Sequence, residues 1–103
     1  MGRFVYDSVG PPIEIPDRTL VHLQTAIVMK LRRQESFMLN LTRGLPGESY
    51  RSYWMHPSIP VQFHRSGHSI GSLNQRWVER LLEEANRPDG LWLMREPDES
   101  VIP

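Results

Sequence analysis

Three histidines, His56, His64 and His68, fall in one short stretch, and Ser69 follows directly. Imidazole is a common metal ligand and is the side chain whose ordinary titration lies near neutral pH. A zinc site would need a third ligand and groups that orient the first ones. His56 and His64 become cross-strand neighbours only if Pro57 to Pro60 forms a tight hairpin. Gly67 works against a helix presenting His64 and His68 on one face. The competing reading is a set of surface or turn-capping histidines, and no metal or other cofactor is expected. Gly67-His68-Ser69-Ile70-Gly71 matches the Gly-x-Ser-x-Gly string of a nucleophile elbow. That elbow needs a strand before the serine, a helix after it, and a parallel sheet carrying a distant acid and histidine. A chain of 103 residues has no room for such a sheet, so the string reads as a glycine-rich turn into a helix. A small hydrolase or metal enzyme using His56, His64, His68 and Ser69 stands as the enzymatic alternative. The expectation leans away from catalysis.

A second constellation pairs arginine with aromatic rings. Tyr50, Arg51, Tyr53 and Trp54 share one segment, with Arg43 and Arg65 on expected neighbours and Lys30 and Arg33 at a helix end. Rings stack on bases and guanidinium groups hold phosphates, so Arg43, Arg51, Tyr53, Arg65, Lys30 and Arg33 are the candidate nucleic-acid contacts. The plainer reading is aromatic packing across strands, with cations complementing the carbonyl end of a helix. No glycine-rich phosphate loop is present, and the single lysine, Lys30, is not in one.

Composition narrows the classes further. Twelve Lys and Arg balance twelve Asp and Glu, eleven of the twelve cations being arginine, so the net field selects no partner. Residues 1–80 hold ten basic and six acidic groups, and the remainder two and six. The absence of cysteine excludes disulfides, thiolate nucleophiles and cysteine-ligated metals. From Phe4 the chain enters an apolar run without a charged-then-apolar leader pattern, and no apolar stretch approaches the ~20 residues that span a bilayer. The expectation is a cytoplasmic protein away from membranes. Asn40-Leu41-Thr42 fits the glycosylation triplet by chance.

The elements that would position these groups follow from periodicity. Phe4 to Tyr6 and Ile13 to Ile15 read as two strands around a proline-rich turn. Asp17 is placed as the N-cap of a first helix, whose Leu20, Leu23, Ile27 and Leu31 form the apolar stripe. His22, Ala26, Lys30 and Arg33 fall on its other side. From Phe37 the period becomes 2, giving a strand with Phe37, Leu39 and Leu41 on one face. Tyr50 to His56 and Val61 to His64 follow, and these three strands are expected to form a meander. Ser72 with Gln75 predicts a capping box at the start of the second helix, whose apolar face is Trp77, Val78, Leu81, Leu82 and Ala85. Leu91 to Met94 reads as a last strand. The order ββαβββαβ predicts an α+β fold: one mostly antiparallel sheet of about five to six strands with two helices on one face. Residues 1–95 are expected to form a single domain and 96–103 a frayed acidic tail.

Several strings carry a resemblance over nearly the whole chain. They are Gly2-Arg3-Phe4-Val5-Tyr6, His56-Pro57-Ser58-Ile59-Pro60, Leu73-Asn74 with Trp77, and Gly90-Leu91. In these the chain resembles a family of roughly 100-residue actinobacterial proteins of unknown function, often labelled "ATP-dependent DNA ligase". Such ligases use a lysine nucleophile in a Lys-x-Asp-Gly setting. Here Lys30 is followed by Leu31, Arg32 and Arg33, so the resemblance transfers no catalytic residue. The expected function is a non-catalytic module that binds a protein partner or itself around Tyr50 to Met55. A nucleic-acid-associated accessory domain is the alternative within binding.

Overall fold

The computed structural model describes residues 1–42, 50–67 and 69–98, and within them the chain follows the expected order of elements. Strand β1 (Gly2–Tyr6) pairs antiparallel with β2 (Ile13–Ile15), Gly2 lying opposite Ile15 and Phe4 opposite Ile13. Phe4 and Ile15 are buried while Arg3 and Glu14 face out, the alternation of a sheet covered on one side. The covering element is helix α1 (Asp17–Arg32). It approaches β1 so closely that a Cβ on Gly2 would stand 2.5 Å from a methyl of Leu20, and only glycine fits there.

Strands β3 (Phe37–Thr42) and β4 (Tyr50–Met55) pair antiparallel, with Phe37 opposite Met55 and Asn40 opposite Ser52. The chain then leaves this sheet. Strand β5 (Val61–His64) pairs with β1, Phe63 opposite Phe4. Helix α2 (Gln75–Ala85) leads to β6 (Leu91–Trp92), which joins β3 in parallel. The result is two three-stranded sheets, β2-β1-β5 and β4-β3-β6. α1 lies against β1, α2 lies against β3 and β6, and the two helices pack on each other. One continuous core includes Phe4, Leu20, Leu23 and Ile27 from the first half and Leu39, Met55, Leu81 and Leu91 from the second. Each such side chain contributes about 1.5–3 kcal/mol on burial.

Four expectations are corrected here. The single sheet is two, because Pro57 and Pro60 lack the N–H groups that a hairpin ladder would use. The segment between them instead crosses to the other sheet, where Asp7 donates its amide to Pro60 O at 2.8 Å. The meander therefore stops at β4, and each helix sits on its own sheet. Asp17 is the first helical residue rather than the cap, since Pro16 precedes the helix without a side-chain cap; the Asp17 carboxylate accepts from Ser66 Oγ instead. The cap of α2 is Asn74, whose Oδ1 accepts from the Trp77 amide at 3.2 Å, two residues beyond the expected Ser72. Finally, the side of α1 opposite the apolar stripe is buried along most of its length, although Arg33 at its end is exposed. His22, Ala26 and Lys30 are each at most 5 % exposed, because a helix wedged between a sheet and a second helix buries two stripes.

Candidate functional site

Polar groups buried along the helix interface form two clusters, one at each end. At the start of α2, the Asn74 amide donates to His22 Nε2 at 2.8 Å. That nitrogen must accept, so the ring proton sits on Nδ1 and is donated to Arg18 O at 2.7 Å. The neutral imidazole stacks on Trp77, with ring centres 4.5 Å apart. Asn74 Nδ2 donates at 3.0 Å to Glu96 Oε2 and to Pro97 O. Glu96 also takes a two-pronged contact from Arg18, at 2.8 and 2.7 Å. The Arg18 and Asn74 hydrogen bonds hold the Glu96 carboxyl well below the usual range, at about 2. Glu96 and Pro97, assigned from the sequence to the tail, are thus tied to both helices. Trp77 Nε1 is buried without a hydrogen-bond partner among the described residues.

The other cluster sits where both helices end. Lys30 Nζ donates to Asn86 Oδ1 at 2.5 Å and pairs with Glu35 Oε1 at 3.0 Å. A left-handed turn at Gln34 (φ 61°) brings Glu35 back toward the last turn of α1, where its amide donates to Lys30 O. The cluster opens onto a cavity of about 580 Å³, walled by Phe37, Met38, Trp54 and the turn after α2. That turn is held over β3 by Asn40, which donates from Nδ2 to Asp89 O at 2.9 Å and accepts from Ser52 Oγ at 2.6 Å. Gly90 completes it with φ +93°, and a Cβ there would stand 2.5 Å from Met38 O. Asn40 is 3 % exposed, so the asparagine of the glycosylation triplet is inside the fold.

Beyond the cavity the same sheet face continues outward. Tyr50, Ser52 and Trp54 alternate onto it from β4. Tyr50 meets Trp92 of β6 ring to ring at 4.8 Å. Tyr50 remains 56 % and Trp54 49 % exposed.

The residues singled out from the sequence are scattered across this framework. Tyr53 is turned to the inner face, packed against Phe4 and Tyr6 at 5.8 and 5.0 Å, where bases have no access. Lys30 is withdrawn into its cluster. Arg51 is exposed on β4 opposite Leu41, Arg65 follows β5 in the other sheet, and Arg33 caps α1; these elements are not paired with one another. Arg43 and His68 lie outside the described residues. His56 directly follows β4 and accepts the Ser58 amide on Nδ1 at 3.0 Å, whereas His64 stands opposite Arg3 and pairs with Gln62 at 2.8 Å. They belong to different sheets, so the cross-strand pair does not form. Among the described residues, no three His, Asp or Glu side chains converge on a metal position. Ser69 Oγ accepts the Gly71 amide at 3.3 Å, and α2 begins only at Gln75, so the serine is not at a strand-to-helix elbow.

Tyr6 shows how the two sheets are joined. Its hydroxyl donates to Trp54 O at 2.7 Å, capping the free edge of β4. Burial, and then the Asp7 charge, push its phenol above the ordinary value. Sequence reading passed over Arg18, His22, Asn40, Asn74 and Glu96. Two signals were present: the i, i+4 spacing of His22, Ala26 and Lys30, and an Asn three residues before Trp77.

No curated protein and no solved structure matches the chain. A family model described as a domain of unknown function (DUF7882) matches residues 1–96, nearly the whole of the sequence, and the chain belongs to that family.

Proposed function

We propose that this chain is a non-catalytic binding module whose contact surface is the outer face of the β4-β3-β6 sheet, and that it meets another protein surface there. The observation that carries the reading is the pair Tyr50 and Trp54, at 56 % and 49 % exposure on a face whose other members, Ser52 and Trp92, are uncharged. Large exposed rings on an uncharged face favour a protein surface, since aromatic anchors are enriched at interfaces. A second copy of the chain is the simplest such partner, and a different protein is the other. With no cysteine in the chain and no described helix long and apolar enough to cross a membrane, the cytoplasm is the compartment we propose.

The nucleic-acid reading would use the same rings for stacking, and the ligase label of the resembled actinobacterial family speaks for it. It would also need cations beside them, and Arg51 lies on the opposite face of β4 from Tyr50 and Trp54. A ligase reaction would need a reactive lysine, whereas Lys30 is held by Glu35 and Asn86. Any such role is therefore that of an accessory. Two measurements separate the readings. Sedimentation velocity across a concentration series should show self-association that Tyr50→Ser with Trp54→Ser abolishes, with the circular dichroism spectrum unchanged. Anisotropy with single-stranded, duplex and nicked DNA at ~50 and ~200 mM salt should show no steep salt-sensitive binding. Salt-sensitive binding that requires Arg51 would overturn the protein-surface reading.

A further inference from the structure

The cavity beside Trp54 joins a fixed cation to a loosely held anion. The Lys30 side chain is 6 % exposed and anchored by Asn86, while its partner Glu35 is 47 % exposed and reaches in from the turn after α1. An ammonium has three donors, and Asn86 and Glu35 take two of them. A half-exposed carboxylate contributes little to such a pair, so another carboxylate can replace it at small cost. Phe37, Met38, Trp54, Ala85 and Pro88 supply apolar wall, and Ser36 and Arg87 add polar groups to it. The volume of about 580 Å³ is that of a site for a small molecule or a single large group.

We infer that this cavity binds an aryl carboxylate, its carboxylate taking the place of Glu35 on Lys30 and its ring lying against Trp54 and Met38. Both helix ends that border the site are C-termini, at Lys30 and at Ala85. Their carbonyl dipoles oppose a doubly charged phosphate, and Glu35 itself shows that a single carboxylate is accommodated. Trp54 offers a half-exposed indole and Met38 a polarisable thioether, both suited to a flat ring. Arg87 at the rim is already engaged by Glu84 and Asp89. The inference shares Trp54 with the proposed contact face and otherwise stands on the Lys30–Glu35 pair.

The test is titration of the ¹⁵N-labelled protein with 3-phenylpropionate and with its uncharged amide, followed by two-dimensional NMR. The acid should move the Phe37, Met38 and Trp54 indole resonances saturably, and the amide should bind about tenfold more weakly. Glu35→Gln, which removes the competitor, should tighten the acid several-fold, and Lys30→Met should abolish its binding. An acetylated Gly-Gly-Phe peptide with a free C-terminus, set against its amidated form, identifies the source of the group. Tighter binding of the peptide acid than of 3-phenylpropionate assigns it to a polypeptide end, and the reverse to a free metabolite. Equal binding of acid and amide overturns the inference, as do acid affinity unchanged in Glu35→Gln or the absence of saturable shifts. Because Glu35→Gln alters an exposed side chain, the outcome does not depend on Lys30→Met folding. Loss of this binding with self-association intact would sink the cavity site alone.

Discussion

The two buried polar clusters lie at opposite ends of the same helix pair and differ in how they are closed. At the Asn74 end, His22, Asn74, Glu96 and Arg18 partner one another or backbone, and the C-terminal segment lies across them. At the Lys30 end, Asn86 supplies one firm partner, Glu35 supplies a half-exposed one, and the cluster borders a cavity. In the first arrangement the side chains are held by one another and by backbone, with the Trp77 indole N–H left without a partner among the described residues, so it holds the fold. The second has a replaceable partner, so it is where a ligand can enter. Buried polar groups must be satisfied wherever they occur; whether the partner is exchangeable separates scaffold from site.

The sharpest way to break this contrast is to truncate the closed cluster. Asn74→Ala removes the α2 cap and both bonds to the C-terminal segment, and should cost about 3 kcal/mol in urea denaturation. A cost under about 1 kcal/mol would mean that this end is not the structural one. Glu96→Gln tests the same cluster through pH. The Glu96 carboxyl is lowered in the fold from 4.5 to about 2. Its contribution is therefore fully present above the unfolded value and is lost as pH falls from there through about 2. The variant should be less stable near neutrality, and its stability should fall less between those two values than that of the parent, read from melting temperatures across an acid series.

Smaller effects are expected at the open end. Lys30→Met keeps the apolar stem and should change stability by no more than about 1 kcal/mol, since its partners Glu35 and Asn86 are both exposed and water can satisfy them once the ammonium is gone. Glu35→Gln should shift it by about 0.5 kcal/mol or less, as befits one half-exposed member of an ion pair. If either change unfolds the protein while Asn74→Ala is tolerated, the assignment of the two clusters is reversed.

Much of the molecule was legible from local signals. The change of period at Phe37, the apolar stripe Leu20, Leu23, Ile27 and the turn residues around Gly10 to Pro12 yielded six strands and two helices in the observed order. The faces of β4 were also readable: Tyr50, Ser52 and Trp54 on one, Arg51, Tyr53 and Met55 on the other. The site was less legible. His22 and Lys30 were placed off the apolar stripe of α1, because spacing along one helix marks only the stripe and not what packs on its other side. Asn74, Trp77 and Asn86 are 52, 55 and 56 positions away from the residues they bond to or stack on, and no window of sequence contains both members.

Element type and order follow from the sequence because hydrogen bonding within a helix, alternation along a strand and the missing donors of proline act over a few residues. Which edge β5 joins, how the strands divide between two sheets, and which polar stripe of α1 is buried are properties of long-range pairing. The tertiary structure alone decided them, because burial of a polar side chain is set by whether a distant group can complete its hydrogen bonds.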